Sequence, residues 1–369
     1  MQNQHVPVLI FAQSGRFLAH SATHAGYPVW VADCFGDQDT LSVAKRWHPL
    51  PVISELTEDS ILDIFFKLTN GEKCTLICGS GIESCYTILE KLPDNIKLVG
   101  NNAHTIHTIK TPTLFFSLLD QLDIAHPDTQ FKPPENIKNW LVKSVSGLGG
   151  SHIQYLNQQT NLTGYYFQRF VCGISGSALF LANGTQAQLI SINKQNSVVN
   201  EYTPFLLCSI ESPWRSLSEP NQQQLERAIK KITLETGLIG LNSIDFILSE
   251  QDELLILEIN PRPSASAELI NPNIPLFQYH LDACGGILPD APIIQAVTQT
   301  SLRFLYAEND MIISSKITWP SGCHDLPATD TFIKKGEPVC TLIVQANSSQ
   351  KIKKLLHDLE KKVVRQLEK

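Results

Sequence analysis

Residues 237–268 read GLIGLNSIDFILSEQDELLILEINPRPSASAE, and the fold follows from how this stretch is interpreted. Residues 242–249 and 254–259 are apolar runs of strand length, and the polar turn 250–253 separates them. Asp245, Glu258 and Asn260 are the candidate donors among the polar side chains that interrupt this predicted hairpin. Side chains alternate along a strand, so Glu258 and Asn260 share a face, and the short turn brings Asp245 opposite them on the neighbouring strand. Two carboxylates and an amide oxygen make an all-oxygen donor set suited to Mg2+, with Mn2+ as a substitute. Arg262 follows two residues later and sets a fixed positive fork beside that site. The competing reading places Asp245 and Glu258 at a wet sheet edge with no metal. Gly237, Gly240 and Pro261 are read as structural, marking a helix end, a strand start and a strand exit.

The constellation Asp…Glu-x-Asn-Pro-Arg resembles the metal hairpin of the ATP-grasp superfamily. That resemblance implies an α/β (α+β) chain in which two Mg2+ ions bridge the phosphates of ATP. Asp245, Glu258 and Asn260 would be the metal ligands, and Arg262 would face the reacting phosphoryl or acyl group.

Composition narrows the alternatives. A chain of 369 residues, 43% hydrophobic and 18% charged, buries a real core and divides into two or three domains. A net charge of -7 without a Lys/Arg cluster offers no footprint for nucleic acid. No run approaches the ~20 apolar residues of a membrane helix, and the first residues lack the features of a cleaved leader, so a cytoplasmic location is expected. Nine cysteines without a Cys-x-x-Cys argue against a disulfide framework and against zinc.

From the start, 6–11 is a buried-type strand, 13–15 a turn, 16–25 a helix and 27–32 a second strand ending at Asp33. Asp33 lies where a ribose-binding acid would, but Gly15 stands alone where a dinucleotide fingerprint needs three glycines. Residues 1–109 are therefore expected to form a doubly wound domain without NAD that shapes a second-substrate pocket. After the strand 74–78, the turn 79–83 has two readings: an anion-binding helix start, with Glu83 free for an amine, or an ordinary strand-to-helix turn. Helices are expected at 101–108 and 112–122, after a last strand at 98–100; His104 and His107 share a helical face without a third ligand. Lys110 occupies the position where ATP-grasp proteins often place a phosphate-contacting lysine; a solvated lysine is the alternative.

Residues 127–139 read as a linker, 140–145 as a strand carrying Lys143, and 153–155 as the strand after the loop SGLGGS at 146–151. Small residues let backbone N–H groups of such a loop approach phosphates closely, and Lys143 adds charge. It is not a Walker loop, because no Gly-Lys-Ser/Thr follows. With the hairpin beyond, it resembles the small ATP-grasp subdomain that covers the nucleotide, spanning about 126–195, with Lys143, Gly147, Gly149, Gly150 and Ser151 as implied contacts. The strand 165–171 would lend Arg169, Phe170 and Val171 to the adenine, with Gln168 where the family often has glutamate. A hairpin, 178–182 and 186–195, turns at Asn183-Gly184.

An amphipathic helix at 222–236 leads into the metal hairpin, and helices at 264–270 and 275–284 are expected behind it. The domain at 110–300 gives way to strands at 303–307, 312–317 and 340–345 and a charged helix at 351–369. This 301–369 segment resembles the small C-terminal cap of biotin carboxylases. The patterns Ser14-Gly15-Arg16, Ala25-Gly26-Tyr27 and Asp33-x-Phe35-Gly36-Asp37-x-Asp39-Thr40 resemble a group of proteins from methylotrophs with pterin-linked one-carbon metabolism. Residues 173–195 and 258–262 are similar to the tyramine/tyrosine-glutamate ligases of methanofuran-type coenzyme biosynthesis. The resemblance implies an ATP-dependent ligase joining a small carboxylate, glutamate, to tyrosine, tyramine or a related amine, without nucleic acid or membrane partners and compatible with a homodimer. Biotin carboxylase-like chemistry, another ATP-grasp ligation, or a non-catalytic ATP-binding regulatory protein are the alternatives.

Overall fold

A computed structural model describes residues 5–145, 147, 149–157, 164–198, 203–293 and 298–368. The chain opens as a five-stranded parallel sheet in the spatial order Arg46–Pro49, Val29–Asp33, Val8–Phe11, Cys74–Cys78, Ile96–Leu98. Alternation explains why it is covered on both faces. Val8 and Ile10 point to the helix Arg16–His24, where they meet Leu18, Ala19 and Ala22. Leu9 and Phe11 point to the helix Glu58–Thr69, where they meet Ile61, Ile64, Phe65 and Leu68. That second helix is fixed at its start by a capping box between Thr57 and Ser60. The strand order reverses between Val8–Phe11 and Cys74–Cys78, and at such a point an open α/β sheet leaves a crevice beyond the strands' carboxyl ends.

The helices Ala103–Lys110 and Pro112–Gln121 carry the chain onward. A small four-stranded sheet follows, ordered Thr129–Gln130, Tyr165–Arg169, Trp140–Ser144, Ile153–Tyr155. The expected linker thus supplies one of its strands.

The body is an eight-stranded sheet, antiparallel throughout, in the order Leu254–Asn260, Ile239–Ser249, Gly173–Asn183, Ala187–Ser197, Leu207–Ser212, Gln299–Tyr306, Pro338–Ala346, Cys323–His324. One face, with Ala178, Phe180, Ile244, Phe246 and Ile259, packs on Leu225, Ile229 and Ile232 of the helix Glu219–Thr236. Each such buried Leu, Ile or Phe side chain contributes ~1.5–3 kcal/mol. The helix stops at Gly237, whose φ of 68° is left-handed. The lower part of the opposite face, with Leu179, Leu181 and Leu241, packs on the helix Leu276–Cys284. Its upper part is polar, and the candidate site lies there.

Two expectations change and one unexpected strand is added. The helix expected at 264–270 is a single 3-10 turn, Ala265–Leu269. The strand expected at 312–317 reduces to Met311–Ile312, paired with Phe332–Ile333, because the chain turns back at Ser314, whose carbonyl accepts the N–H of Ile317. The strand Leu207–Ser212 comes from LCSIES, which carries no apolar alternation to announce it. Through it the sheet runs past residue 300 without a break. Among the described residues no helix is long and apolar enough to cross a membrane.

Candidate active site

The predicted hairpin forms with Asp245 paired directly to Glu258 and Ser243 to Asn260. The register shifts just beyond Asp245, leaving Leu257 unpaired, so Glu258 and Asn260 stay on the same face as Asp245. The row continues across the sheet through Ser177 and Asn193, each in register with its neighbour. Asp245 is clamped at both oxygens, by Asn260 Nδ2 at 3.2 Å and by Gln195 Nε2 at 3.2 Å. Gln195 was not among the expected site residues. Its signal was present in the alternation Ser191, Asn193, Gln195, which places three polar groups on one strand face.

Positive charge converges on this face from two other segments. Lys110, the last residue of its helix, donates to Glu258 Oε2 at 3.1 Å and to the carbonyl of Ile259 at 3.4 Å. Lys143 reaches in from the small sheet, close enough for the charges of Glu258 and Asp245 to act on it. Burial pushes its pKa down to about 8, against the pull of those two carboxylates. Its ammonium donates to Gln168 Oε1 at 2.6 Å, and Gln168 in turn donates to Thr129. The glutamine standing where glutamate was expected is therefore the seat of Lys143. The opposed carboxylates titrate apart. Burial and the charge of Glu258 push Asp245 up, whereas Lys110 and Lys143 outweigh burial at Glu258 and hold it down.

The donor set fits a hard divalent cation. Asp245, Glu258 and Asn260 present carboxylate and amide oxygens from adjacent strands, and Lys110 and Lys143 flank them as phosphate ligands would require.

The glycine loop is described at Gly147 and from Gly149 onward; Ser146 and Leu148 lie outside the described residues. Gly150 has a φ of +81°, and a Cβ there would come within 2.1 Å of the carbonyl oxygen of Phe205. The neighbouring carbonyl of Gly149 accepts the N–H of Leu207 at 3.0 Å, so the loop rests on the segment 203–207. Exposed Ser151 completes the described part of the loop. Along the strand expected to meet adenine, the N–H groups of Arg169 and Phe170 are already donated to the carbonyls of Asp128 and Asn139, at 2.8 Å each. That takes the N–H groups of two of the three residues expected to offer backbone groups to adenine out of play.

Two N-terminal expectations are corrected or sharpened. The turn 79–83 starts no α-helix, only the three-residue 3-10 turn Ile82–Ser84. Its amide at Gly81 is taken by Glu83 Oε2 at 2.9 Å, and Glu83 Oε1 accepts Arg262 Nε at 2.8 Å. The turn's own carboxylate fills the place of an incoming anion and is not free for an amine. Asp33 is fully buried and accepts from Gly15 N, Gly36 N and Trp47 Nε1 at 2.9–3.0 Å, which leaves no oxygen for a ribose. His107 bonds Tyr86 OH at 2.7 Å through Nδ1, an ordinary surface contact.

Residues 109–266 match the family model of the ATP-grasp domain. The chain has the ATP-grasp fold. Over its full length it superposes on a biotin carboxylase of Campylobacter jejuni solved with an ATP analogue, at a TM-score of 0.75 and 11% identity, covering 92% of that chain. With 98% of each chain covered, it also superposes on an L-amino acid ligase of Bacillus licheniformis, at a TM-score of 0.70 and 14% identity. In sequence, an uncharacterized protein of Methanocaldococcus jannaschii is 22% identical, over 93% of this chain and 89% of that protein. The carbamoyl phosphate synthase large chain of Rhodopirellula baltica is 23% identical over 47% of this chain, a stretch that covers 18% of the synthase. The ATP-grasp match begins just before Lys110 and ends four residues past Arg262, so it encloses every expected nucleotide and metal residue.

Proposed function

We propose that the protein is an ATP-dependent carboxylate-amine ligase that works through an acyl phosphate. The observation that carries this reading is the convergence of Lys110, Lys143, Asp245, Glu258, Asn260 and Arg262 at one polar sheet face beside the crevice of the N-terminal domain. Mere nucleotide binding needs the first five; a guanidinium next to Asn260 adds a group aimed at a reacting centre.

In this scheme Asp245, Glu258 and Asn260 hold Mg2+, which when bound neutralises phosphate charge. Lys110 and Lys143 orient the terminal phosphates, and Gly147, Gly149, Gly150 and Ser151 of the glycine loop close over them to exclude water. A carboxylate oxygen of the acid substrate forms a bond to the terminal phosphorus, the bond to the bridging oxygen breaks, and ADP departs. The nitrogen of a neutral amine then bonds to the acyl carbon, phosphate leaves, and the nitrogen's proton passes to solvent. Arg262 stabilises the charge that builds on the transferring group.

The finer assignment is glutamate joined to tyrosine, tyramine or a related amine of methanofuran-type coenzyme biosynthesis. Its support is the likeness of residues 173–195 and 258–262 to those ligases, and the ligase and synthase neighbours agree with the reaction class. A homodimer, the state of the biotin carboxylase domain of the Hydrogenobacter thermophilus 2-oxoglutarate carboxylase in its crystal structure, is part of the proposal. The test is incubation with ATP, Mg2+, labelled glutamate and a panel of amines, read by mass spectrometry and phosphate release. One phosphate and one amide per turnover is the expected result. Saturable MgATP binding without phosphate release under any pairing would favour a regulatory ATP-binding protein instead.

A further inference from the structure

Arg262 is gripped from the other side of the molecule. Its Nε donates to Glu83 Oε1 at 2.8 Å, across 179 positions of sequence. Glu83 sits in the turn after Cys74–Cys78, at the point where the N-terminal sheet reverses its order. The pair is enclosed: the side chains are 12% and 4% exposed for Arg262 and Glu83. The carboxylate is fixed before it meets the arginine, because its other oxygen accepts the N–H of Gly81 at 2.9 Å. Burial opposes the charge on Glu83, but Arg262 and Lys110 outweigh it and keep the group ionised.

The remaining nitrogens of Arg262 are loosely held. Nη1 lies 3.3 Å from the carbonyl of Pro263 and Nη2 lies 3.4 Å from Asn260 Oδ1, both long for charged donors. A guanidinium can pair a carboxylate or phosphate through its Nε edge or through its two-Nη end. With Nε engaged by Glu83, the two-Nη end is the one left to recognise a substrate.

We propose that Glu83 is the positioning residue of Arg262: the N-terminal domain holds the guanidinium by its Nε edge so that its Nη pair faces the acid substrate and the transferring phosphoryl group. This rests on the ligase reading and extends it, because it makes the N-terminal domain part of the catalytic geometry. A rival account has the pair doing no more than shaping the strand exit at Pro261.

The experiment compares the parent with Glu83→Gln, Glu83→Asp, Arg262→Lys and the double variant Glu83→Gln/Arg262→Lys. Three readouts are taken: MgATP affinity by calorimetry, glutamate- and amine-dependent phosphate release, and the side-chain Nε–H resonance of Arg262 by NMR. Misplacing a catalytic group by about 1 Å costs on the order of 10²-fold in rate, so Glu83→Gln should lower kcat by about that factor while MgATP affinity stays within about threefold. Glu83→Asp should recover part of the loss. The double variant should be no slower than Arg262→Lys alone, since both changes act through one guanidinium. The Nε–H signal should be sharp and protected in the parent and broadened in Glu83→Gln. Parental turnover in Glu83→Gln, or losses that multiply in the double variant, would overturn the proposal. So would an unprotected Nε–H in the parent. If the parent releases no phosphate with any substrate pair while the Nε–H is protected, the ligase reading fails and the positioning role fails with it, leaving only the structural pair.

Discussion

Arg262 and Glu258 stand four residues apart and should fail in different ways. Glu258→Gln removes the charge of a proposed metal donor and of the group that accepts from Lys110, so MgATP binding and turnover should fall together. Arg262→Lys keeps a positive charge but lacks the planar fork, and losing one such donor typically costs ~10²- to 10³-fold in rate. It should bind MgATP nearly as the parent does and ligate far more slowly. Calorimetry beside single-turnover kinetics and a thermal melt checks both, and near-parental turnover with a lowered melt would mean that Arg262 serves stability. Lys143→Met should weaken nucleotide binding severely while the fold survives, because Gln168 keeps its second bond to Thr129. At this scale much of the site could be read from the chain. The shared face of Asp245, Glu258 and Asn260 follows from strand alternation, and their proposed metal role from the family resemblance. Glu83 could not be read that way, since nothing local tells a carboxylate that its partner lies 179 positions away. Gln168 was visible only as a departure from a pattern, and its role as the acceptor for Lys143 needed the strand pairing of Tyr165–Arg169 with Trp140–Ser144.

Among the elements, the glycine loop and the segment beneath it carry the clearest expectation. Gly150 is left-handed and touches the backbone at Phe205, so Gly150→Ala combines a backbone penalty of ~1–2 kcal/mol with a contact that main chain cannot yield. The variant should lose nucleotide affinity while the melting temperature of the body is little changed. Hydrogen exchange in 149–157 should slow when MgATP binds the parent and slow less in the variant. The strand-loop-strand pattern was legible because glycines interrupt two apolar runs. The resting place of the loop was not, because the strand Leu207–Ser212 follows no apolar rhythm and its placement depends on neighbours at both sides. Similarly, the run at 312–317 has strand composition, yet within it only Ile312 finds a strand partner.

Across the whole molecule, His280 ties three regions together. Its Nδ1 accepts the N–H of Leu241 at 2.9 Å, which marks Nδ1 as unprotonated, and its Nε2 lies 3.3 Å from the carbonyl of Val99 in the N-terminal domain. Burial lowers its pKa from the ordinary 6.5 to about 4. Between those values the unfolded chain binds a proton that the folded chain refuses, so stability is full above pH 6.5 and falls as the pH drops toward 4. The slope from this one group is at most ~1.4 kcal/mol per pH unit. Urea unfolding of the parent and of His280→Gln from pH 7 to 4.5 should show the stability gap narrowing as the pH falls; a constant gap would remove His280 as the cause. A second tie is Arg16, whose guanidinium reaches Glu268 just beyond the hairpin that carries Asp245 and Glu258, and Asp325 in the C-terminal region. The opening parallel sheet was legible from its strand-helix-strand pattern, whereas the small sheet and the larger body were expected from the family resemblance. The continuity of the body past residue 300 was not, since antiparallel neighbours can be far apart in sequence. That continuity bears on how the protein may be cut. Ending the chain at residue 298 would strip Gln299–Tyr306 from Leu207–Ser212 and leave a row of main-chain donors and acceptors open to any passing strand. Such a fragment should self-associate into large particles in light scattering, even though it would retain every residue proposed for ligation.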